Sequence, residues 1–188
     1  MTKNARRGTV GAVVAVGVLG WAWSAAATES TTAGQSSLMA PDARVRGLSV
    51  RIVAIINEAT AQSKTFRGLV DQIGTTDGIV YVAEGQCGHG VRACLLHTMT
   101  EMGPHRVLRI LVDPQKIDRD LMESIGHELQ HAVEVLSDRA IRSSSAMTLL
   151  YDKEGDTYAR RFETNAAIKA SNAIHAELQA RAAAERRE

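Results

Sequence analysis

The sequence predicts an α+β domain over residues 47–188, with a small sheet between an N-terminal helical segment and two C-terminal helices. Apolar residues recur at helical spacing on both sides of the centre, and three β-rich runs separated by glycine-containing turns lie between them. The chain has 188 residues, of which 45% are apolar and 23% are charged. That size and composition indicate one globular domain rather than a disordered chain.

The first 46 residues are predicted to lie outside the folded domain. Basic residues near the start are followed by an apolar run from Val10 to Trp23 and by three alanines at 25–27. This order is typical of a signal peptide over residues 1–27, and the alternative is an uncleaved membrane anchor. Residues 28–46, rich in Ser, Thr, Gly and Ala, predict a linker. The protein is therefore expected to be exported to the periplasm or extracellular space, with membrane contact only through an uncleaved signal.

The domain is predicted to begin with helix and to continue as a sheet. Apolar residues from Leu48 to Ile73 fit one amphipathic helix, or two shorter helices broken near Ser63. The β-rich runs that follow are joined by short connections, which favours a mostly antiparallel, three-stranded meander. These runs are Ile79–Ala83, Ala93–Met99 and Val107–Val112.

Two cysteines, Cys87 and Cys94, flank a glycine-containing turn between the first two strands. An exported protein experiences an oxidising environment, in which two such thiols form a disulfide. The alternative is a pair of metal ligands, but the sequence contains no further cysteine to complete a thiolate site. The sequence therefore favours a disulfide.

The rest of the chain predicts two helices, at residues 119–137 and 156–186. Asp113-Pro114 ends the last strand, and either Asp118 or Asp120 is expected to cap the helix that follows. On that helix an apolar stripe is predicted to face the core, and it consists of Leu121, Ile125, Leu129, Ala132 and Leu136.

The strongest chemical pattern is the motif H-E-x-x-H, formed by His127, Glu128 and His131. Residues four apart project from one face of a helix, so both imidazoles can reach a single metal ion. Glu128 follows the first histidine and can accept a proton from a metal-bound water. The histidines lie away from the apolar stripe, so the predicted metal face and the predicted core face are separate. The pattern predicts a zinc site.

Catalytic zinc needs a third protein ligand, and Glu163 is the best candidate. On the predicted last helix it lies in a stripe of small or apolar residues, where a buried carboxylate needs a partner; an ion pair with an arginine is the alternative to zinc. Glu154 is the second choice. Glu134 shares the face of the histidines and is expected to orient one of them, although direct ligation also fits. The stripe around Glu163 consists of Ala159, Ala166, Ala167, Ala170 and Ile174.

These residues resemble those of the gluzincins, zinc metallopeptidases with H-E-x-x-H on one helix and a glutamate ligand on a later one. Segments 63–67, 126–135 and 162–167 also resemble exported bacterial proteins that carry this motif. The resemblance implies a zincin-like fold, with His127, His131 and Glu163 as zinc ligands and Glu128 as general base. The spacing from His131 to Glu163 is longer than in the thermolysin-like branch.

The activity that follows is hydrolysis by an exported metallopeptidase, in which zinc activates a water and Glu128 takes its proton. Such enzymes also need a donor for the developing oxyanion. The sequence offers four candidates and slightly favours Tyr158, near the start of the last predicted helix. The others are Tyr151, His89 and His97.

The resemblance implies a peptide or protein substrate, and an exposed sheet edge beside the site could bind such a peptide in extended form by strand addition. The net charge of +1 predicts no strongly basic surface, so nucleic acid is not an expected partner. A metal-stabilised binding module of the cell envelope, without catalysis, is the main alternative. A third hypothesis is an envelope interaction protein that binds no metal.

Overall fold

The computed structural model describes residues 42–88, 90–154 and 163–187. Within these ranges the fold is α+β, as predicted, with five helices and a mixed sheet of five strands. In chain order the elements are β1 (Val45–Gly47), α1 (Val50–Gln62), α2 (Lys64–Gly74), β2 (Gly78–Glu84), β3 (Ala93–Leu95), β4 (Thr100–Met102), β5 (His105–Val112), α3 (Asp118–Ser137), α4 (Ser144–Glu154) and α5 (Asn165–Glu185).

The predicted signal peptide and most of the predicted linker lie outside the described residues. Strand β1 crosses the predicted boundary between linker and domain, because Val45 already pairs with Val80 of β2. The sheet therefore begins before residue 47. Across the described ranges, no helix combines the length and the apolar character that crossing a membrane requires.

The N-terminal helical segment is two helices, and the break occurs at Ser63 as one of the two predictions had it. The Ser63 N–H donates to the Ala59 carbonyl and ends α1, while its side-chain oxygen accepts the Phe66 N–H and begins α2. Glu177 of α5 fixes this junction, because its carboxylate accepts hydrogen bonds from the Ser63 hydroxyl at 2.6 Å and the Thr65 N–H at 3.0 Å.

The predicted three-stranded antiparallel meander is wrong. The strand order is β1-β2-β5-β3, with β4 also on β5, and the β1–β2 and β2–β5 pairs are parallel. Strands β2 and β5 need no hairpin between them, because the chain from residue 85 to 104 is long enough to cross over. Strands β3 and β4 lie within that crossover, and each pairs with β5 in antiparallel fashion. The β3 strand is only three residues long and lies at the sheet edge.

Helix α3 lies between the sheet and α5, and its predicted apolar stripe is confirmed. All five residues of the stripe are buried, each 1% exposed or less. On the α5 side, a Cβ at Gly126 would collide with Ile174 Cδ1. Glycine at this position therefore allows α5 to approach α3 beside the motif.

Three other predictions about the C-terminal half are corrected. Ile117, without a side-chain hydrogen bond, occupies the N-cap of α3, and Asp118 and Asp120 lie in its first turn instead. Acidic residues there still favour the helix, because its N-terminus carries partial positive charge. Helix α4 was not predicted. Helix α5 begins at Asn165, after the N-cap Thr164, rather than at residue 156.

Candidate metal centre

Helix α3 brings the two histidines of the motif together on one face. The ring centroids of His127 and His131 are 4.9 Å apart, and the rings are steeply inclined to each other at 77°. The His131 side chain is 6% exposed and that of His127 is 17% exposed. The pair therefore lies at the boundary between core and solvent, as a site that must admit a small ligand requires.

Glu163 joins this pair from the other side. Its Oε1 lies 3.3 Å from His127 Nε2, and one ligand atom from each of Glu163, His127 and His131 falls within 4.8 Å of the other two. These are the three residues that the sequence predicted as ligands, and the structure brings them together.

The reason given for Glu163 from the sequence is wrong, however. Glu163 precedes α5 rather than lying on it, and its side chain is 38% exposed. Ala167, Ala170 and Ile174 are buried in the core, whereas Ala166 is exposed, so the small-residue stripe does not surround the glutamate. Ala159 lies outside the described residues. Glu163 reaches the histidines because α5 packs on α3 and Thr164 caps α5 beside it.

Glu134 binds His131 rather than extending the ligand set. Its Oε2 lies 3.0 Å from His131 Nδ1, which leaves Nε2 of that ring to face a metal ion. Its Oε1 accepts a hydrogen bond of 2.7 Å from the Thr164 hydroxyl. Because Thr164 follows Glu163 in the chain, this bridge connects the histidine helix with the segment that carries the third candidate ligand. Orientation of a histidine was the preferred prediction for Glu134.

Charge around His131 is unusually negative. Burial alone would lower the His131 pKa, but the hydrogen bond to Glu134 and the charges of Glu128, Glu134 and Glu163 together raise it. Burial alone would raise the Glu134 pKa, but the hydrogen bonds from His131 and Thr164 lower it. The raised His131 pKa shows that its surroundings favour the positively charged ring, and the lowered Glu134 pKa shows that the carboxylate beside it is favoured in its charged form.

Glu128 lies beside the histidines and is held by the sheet. Its Oε2 accepts the backbone N–H of Leu95, in β3, at 2.7 Å. Burial raises the Glu128 pKa, and it outweighs the opposing effect of the two histidines and the Leu95 N–H. A carboxyl with a raised pKa can exchange protons closer to neutral pH. Sequence reasoning missed the Leu95 N–H, because backbone donors leave no pattern of residue types.

A cleft of about 350 Å³ opens at the site. One wall is the chain segment 90–93, and the other walls come from α3 and α5, including Glu123 and Ser171. His127, Glu128 and Glu163 also line this cleft, so a molecule entering it reaches two of the three candidate ligands and the carboxylate beside them.

Two of the four candidate oxyanion donors, Tyr151 and His97, lie within the described residues. The Tyr151 hydroxyl donates to the His131 carbonyl at 3.1 Å, and this residue is 2% exposed, so its hydroxyl supports α3 instead of facing the cleft. His97 stacks on the Tyr151 ring at 5.5 Å, and burial followed by the charge of His131 lowers the His97 pKa. Tyr158, His89 and the side chain of Glu154 lie outside the described residues.

The cysteine prediction is confirmed. Cys87 and Cys94 form a disulfide with their Cα atoms 5.8 Å apart, and they close the loop that supplies the 90–93 wall of the cleft.

Comparisons with protein-family models, with curated proteins and with solved structures return no match to this chain. The resemblance to gluzincins therefore stays a prediction from the sequence.

Proposed function

We propose that this protein is an exported zinc-dependent hydrolase, specifically a small gluzincin-like metallopeptidase. The observation that carries the proposal is the convergence of His127, His131 and Glu163, whose ligand atoms lie within 4.8 Å of one another beside the carboxylate of Glu128. Two histidines and one carboxylate, with a fourth position left for water, form a donor set typical of catalytic zinc.

The distances support a zinc ion more than an accidental cluster. Bonds of about 2.0–2.1 Å to a tetrahedral zinc place neighbouring ligand atoms about 3.3 Å apart. The separation of His127 Nε2 from Glu163 Oε1 is 3.3 Å. A ligand atom of His131 lies within 4.8 Å of both, and Glu134 on its Nδ1 is the kind of partner that orients ligand histidines.

The electrostatics support the same ion. Among the described side chains, no lysine or arginine forms an ion pair with Glu128, Glu134 or Glu163, whose bonded partners are histidines, Gln130, Thr164 and a backbone N–H. Glu128 and Glu134 are partly buried, and a carboxylate removed from water without a permanently charged partner is costly. A divalent cation would compensate them.

Zinc bound there would lower the pKa of its water and polarise a carbonyl group. Glu128 would take the proton, because it lies next to the ligands, is not one of them and has a raised pKa. Its hydrogen bond with Leu95 N–H fixes the direction of the carboxylate. The residue that stabilises the oxyanion is left open among His97, Tyr158 and His89.

A peptide is the substrate that the cleft favours. Ala93, the first residue of edge strand β3, lines the cleft. Backbone groups of an edge strand can pair with an extended peptide and hold its carbonyl near the metal.

Substitution of Glu128 by Gln tests this proposal against the metal-stabilised binding module. Metal analysis of purified wild-type protein is expected to find one zinc, and Glu128→Gln is expected to keep that zinc. Hydrolysis of a library of internally quenched peptides should fall by about 10²–10⁴-fold, because the general base is lost.

Glu58→Gln makes the same chemical change at a solvent-exposed position of α1. This variant should have the zinc content and the rate of peptide hydrolysis of the wild type. A protein that binds no zinc would overturn the proposal. A protein that binds zinc but hydrolyses no peptide would indicate the binding module.

A further inference from the structure

The Cys87–Cys94 disulfide is attached to a short edge strand of the sheet. Strand β3 is three residues long and pairs with β5 on one side only. Cys94 is its middle residue, paired with Leu111, and the disulfide ties it to the segment that leaves β2. So short an edge strand forms few ladder hydrogen bonds, and a covalent tie at its centre restrains it.

The pairing of β3 determines where the Leu95 N–H points. Leu96 N–H donates to Arg109 O, and Arg92 O accepts from Asp113 N–H. The backbone N–H and C=O groups of the even-numbered residues in this segment therefore point toward β5. Because successive residues of an antiparallel strand direct their backbone groups to opposite sides, Leu95 N–H points away from β5. Glu128 Oε2 accepts it there at 2.7 Å.

The disulfide and this hydrogen bond share one peptide unit. The N–H that Glu128 accepts belongs to the amide plane joining Cys94 to Leu95, and the disulfide restrains the Cα atom at one end of that plane. The other side of the disulfide loop contains Gly88 and Gly90, which have φ angles of 77° and 74°. Glycines give a loop much conformational freedom, so the loop alone would hold this plane poorly.

We propose that the Cys87–Cys94 disulfide is a positioning device for Glu128, and that it also holds the 90–93 wall of the cleft; this inference rests on the proposed function of Glu128. The candidate zinc ligands lie on α3 and just before α5, outside the disulfide loop. Loss of the disulfide therefore misorients the general base and leaves the metal in place.

The test uses the zinc-loaded double variant Cys87→Ala/Cys94→Ala. Amide hydrogen exchange at Leu95 should become at least about tenfold faster, because a local opening exposes this N–H. Amides in the middle of α3, at Ala132 and Val133, should keep their protection, which excludes general unfolding. Zinc content should equal that of the wild type. The kcat for peptide hydrolysis should fall about tenfold, because small misplacements of a reacting group are costly.

Reduction of the wild-type protein provides a second measurement if the double variant does not fold. A water-soluble phosphine converts the disulfide into two thiols and becomes the phosphine oxide, with water supplying the oxygen and both protons. Leu95 exchange and kcat should change as in the double variant, and reoxidation with oxidised glutathione should restore them. Where the double variant folds, the phosphine should have no effect on it, which separates reduction from extraction of zinc.

The outcomes separate this inference from the proposed function. Unchanged Leu95 exchange and unchanged kcat after loss of the disulfide would overturn the positioning role, as would loss of zinc together with activity. Wild-type protein that hydrolyses nothing would overturn the proposed catalysis, and with it the general base that the disulfide is proposed to position. Leu95 exchange would then still show whether the disulfide holds the hydrogen bond to Glu128.

Discussion

Two polar clusters contact helix α3, and they compensate buried charge in different ways. Near the C-terminal end of the helix, Arg106 of β5 is fully buried. Its guanidinium donates to Asp77 Oδ1 at 2.6 and 2.8 Å and to four backbone carbonyls at the helix end and in the following turn. Those carbonyls belong to Val135, Leu136, Asp138 and Ile141. This cluster contains its own permanent cation.

Within the part of the chain that the structure describes, the histidine cluster, farther along α3 toward its start, contains no such cation. Glu128, Glu134 and Glu163 surround two histidines, whose rings carry positive charge only when protonated. Arginine remains charged at any ordinary pH, whereas a histidine that ligates a metal must be neutral.

The difference between the clusters supports the proposal that the histidine cluster is a metal-binding site. A buried ion needs compensation wherever it lies. At Arg106 the chain supplies both the cation and the carboxylate, and every N–H of the guanidinium already donates to an acceptor in the chain. This cluster therefore has no donor left for a ligand. At the histidines the acidic partners are present, and among the described side chains no lysine or arginine pairs with them, so the described residues supply no permanent cation. Under the proposed function, zinc is that cation.

The Arg106 cluster can be called the closed cluster, because the chain supplies both its cation and its acceptors. Breaking it is expected to have the largest effect. Replacement of Arg106 by Met should lower the free energy of unfolding by about 3–5 kcal/mol, because Asp77 and the carbonyls at the end of α3 lose their donor. Urea denaturation measures the change. Arg109→Met is the matched control, since Arg109 lies on the same strand but is exposed, and it should change stability by about 0.5 kcal/mol or less. Equal effects of the two substitutions would show that Arg106 is not an internal counterion.

A smaller effect is expected at the histidine cluster, the open cluster, where Glu134→Gln weakens the orientation of His131. Zinc affinity, measured by competition with a chromogenic chelator, should fall by about 10–100-fold. Urea denaturation of the metal-free protein should change much less than with Arg106→Met, because the cluster is not closed without the ion.

Thr164→Ser is the control for the same bridge, because it keeps the hydroxyl that donates to Glu134 and accepts the Ala167 N–H. Its zinc affinity should match that of the wild type. If Glu134→Gln binds zinc as tightly as the wild type, Glu134 has no role in holding His131.

Local relationships along one helix could be predicted from the sequence. The separation of four residues places His127 and His131 on one face, and the buried stripe of α3 follows from the same periodicity. The contact between Glu134 and His131 is also local, since the residues are three apart. The disulfide followed from two cysteines separated by a short turn. Each of these depends on spacing alone.

Relationships between distant elements could not be predicted in the same way. The parallel pairing of β2 with β5 depends on how residues 85–104 cross over, and strand-like composition does not specify direction. Glu163 was identified correctly as a neighbour of the histidines, but from a helical stripe to which it does not belong. Its position depends on the packing of α5 against α3 and on Thr164, whose capping role could have shown that the helix begins after Glu163.

The smallest expected effect concerns the pH dependence of the closed cluster. The hydrogen bond from Arg106, with its positive charge, lowers the Asp77 pKa below its ordinary value of 3.8 in spite of partial burial. A group whose pKa is lower in the folded state stabilises the fold above its unfolded pKa, and that stabilisation is lost as the pH falls through the folded pKa. Asp77→Asn should therefore cost about 1 kcal/mol at neutral pH and flatten the decline in stability below pH 3.8.

Urea denaturation of wild type and Asp77→Asn at a series of acidic pH values measures this difference. Asp71→Asn removes the same charge from an exposed position on α2, and its stability should decline with acid in parallel with the wild type. A parallel decline in Asp77→Asn as well would mean that the ion pair with Arg106 does not contribute to acid sensitivity. The two clusters would then be less different than their geometry indicates, because a closed ion pair must lose stabilisation when its carboxylate is protonated.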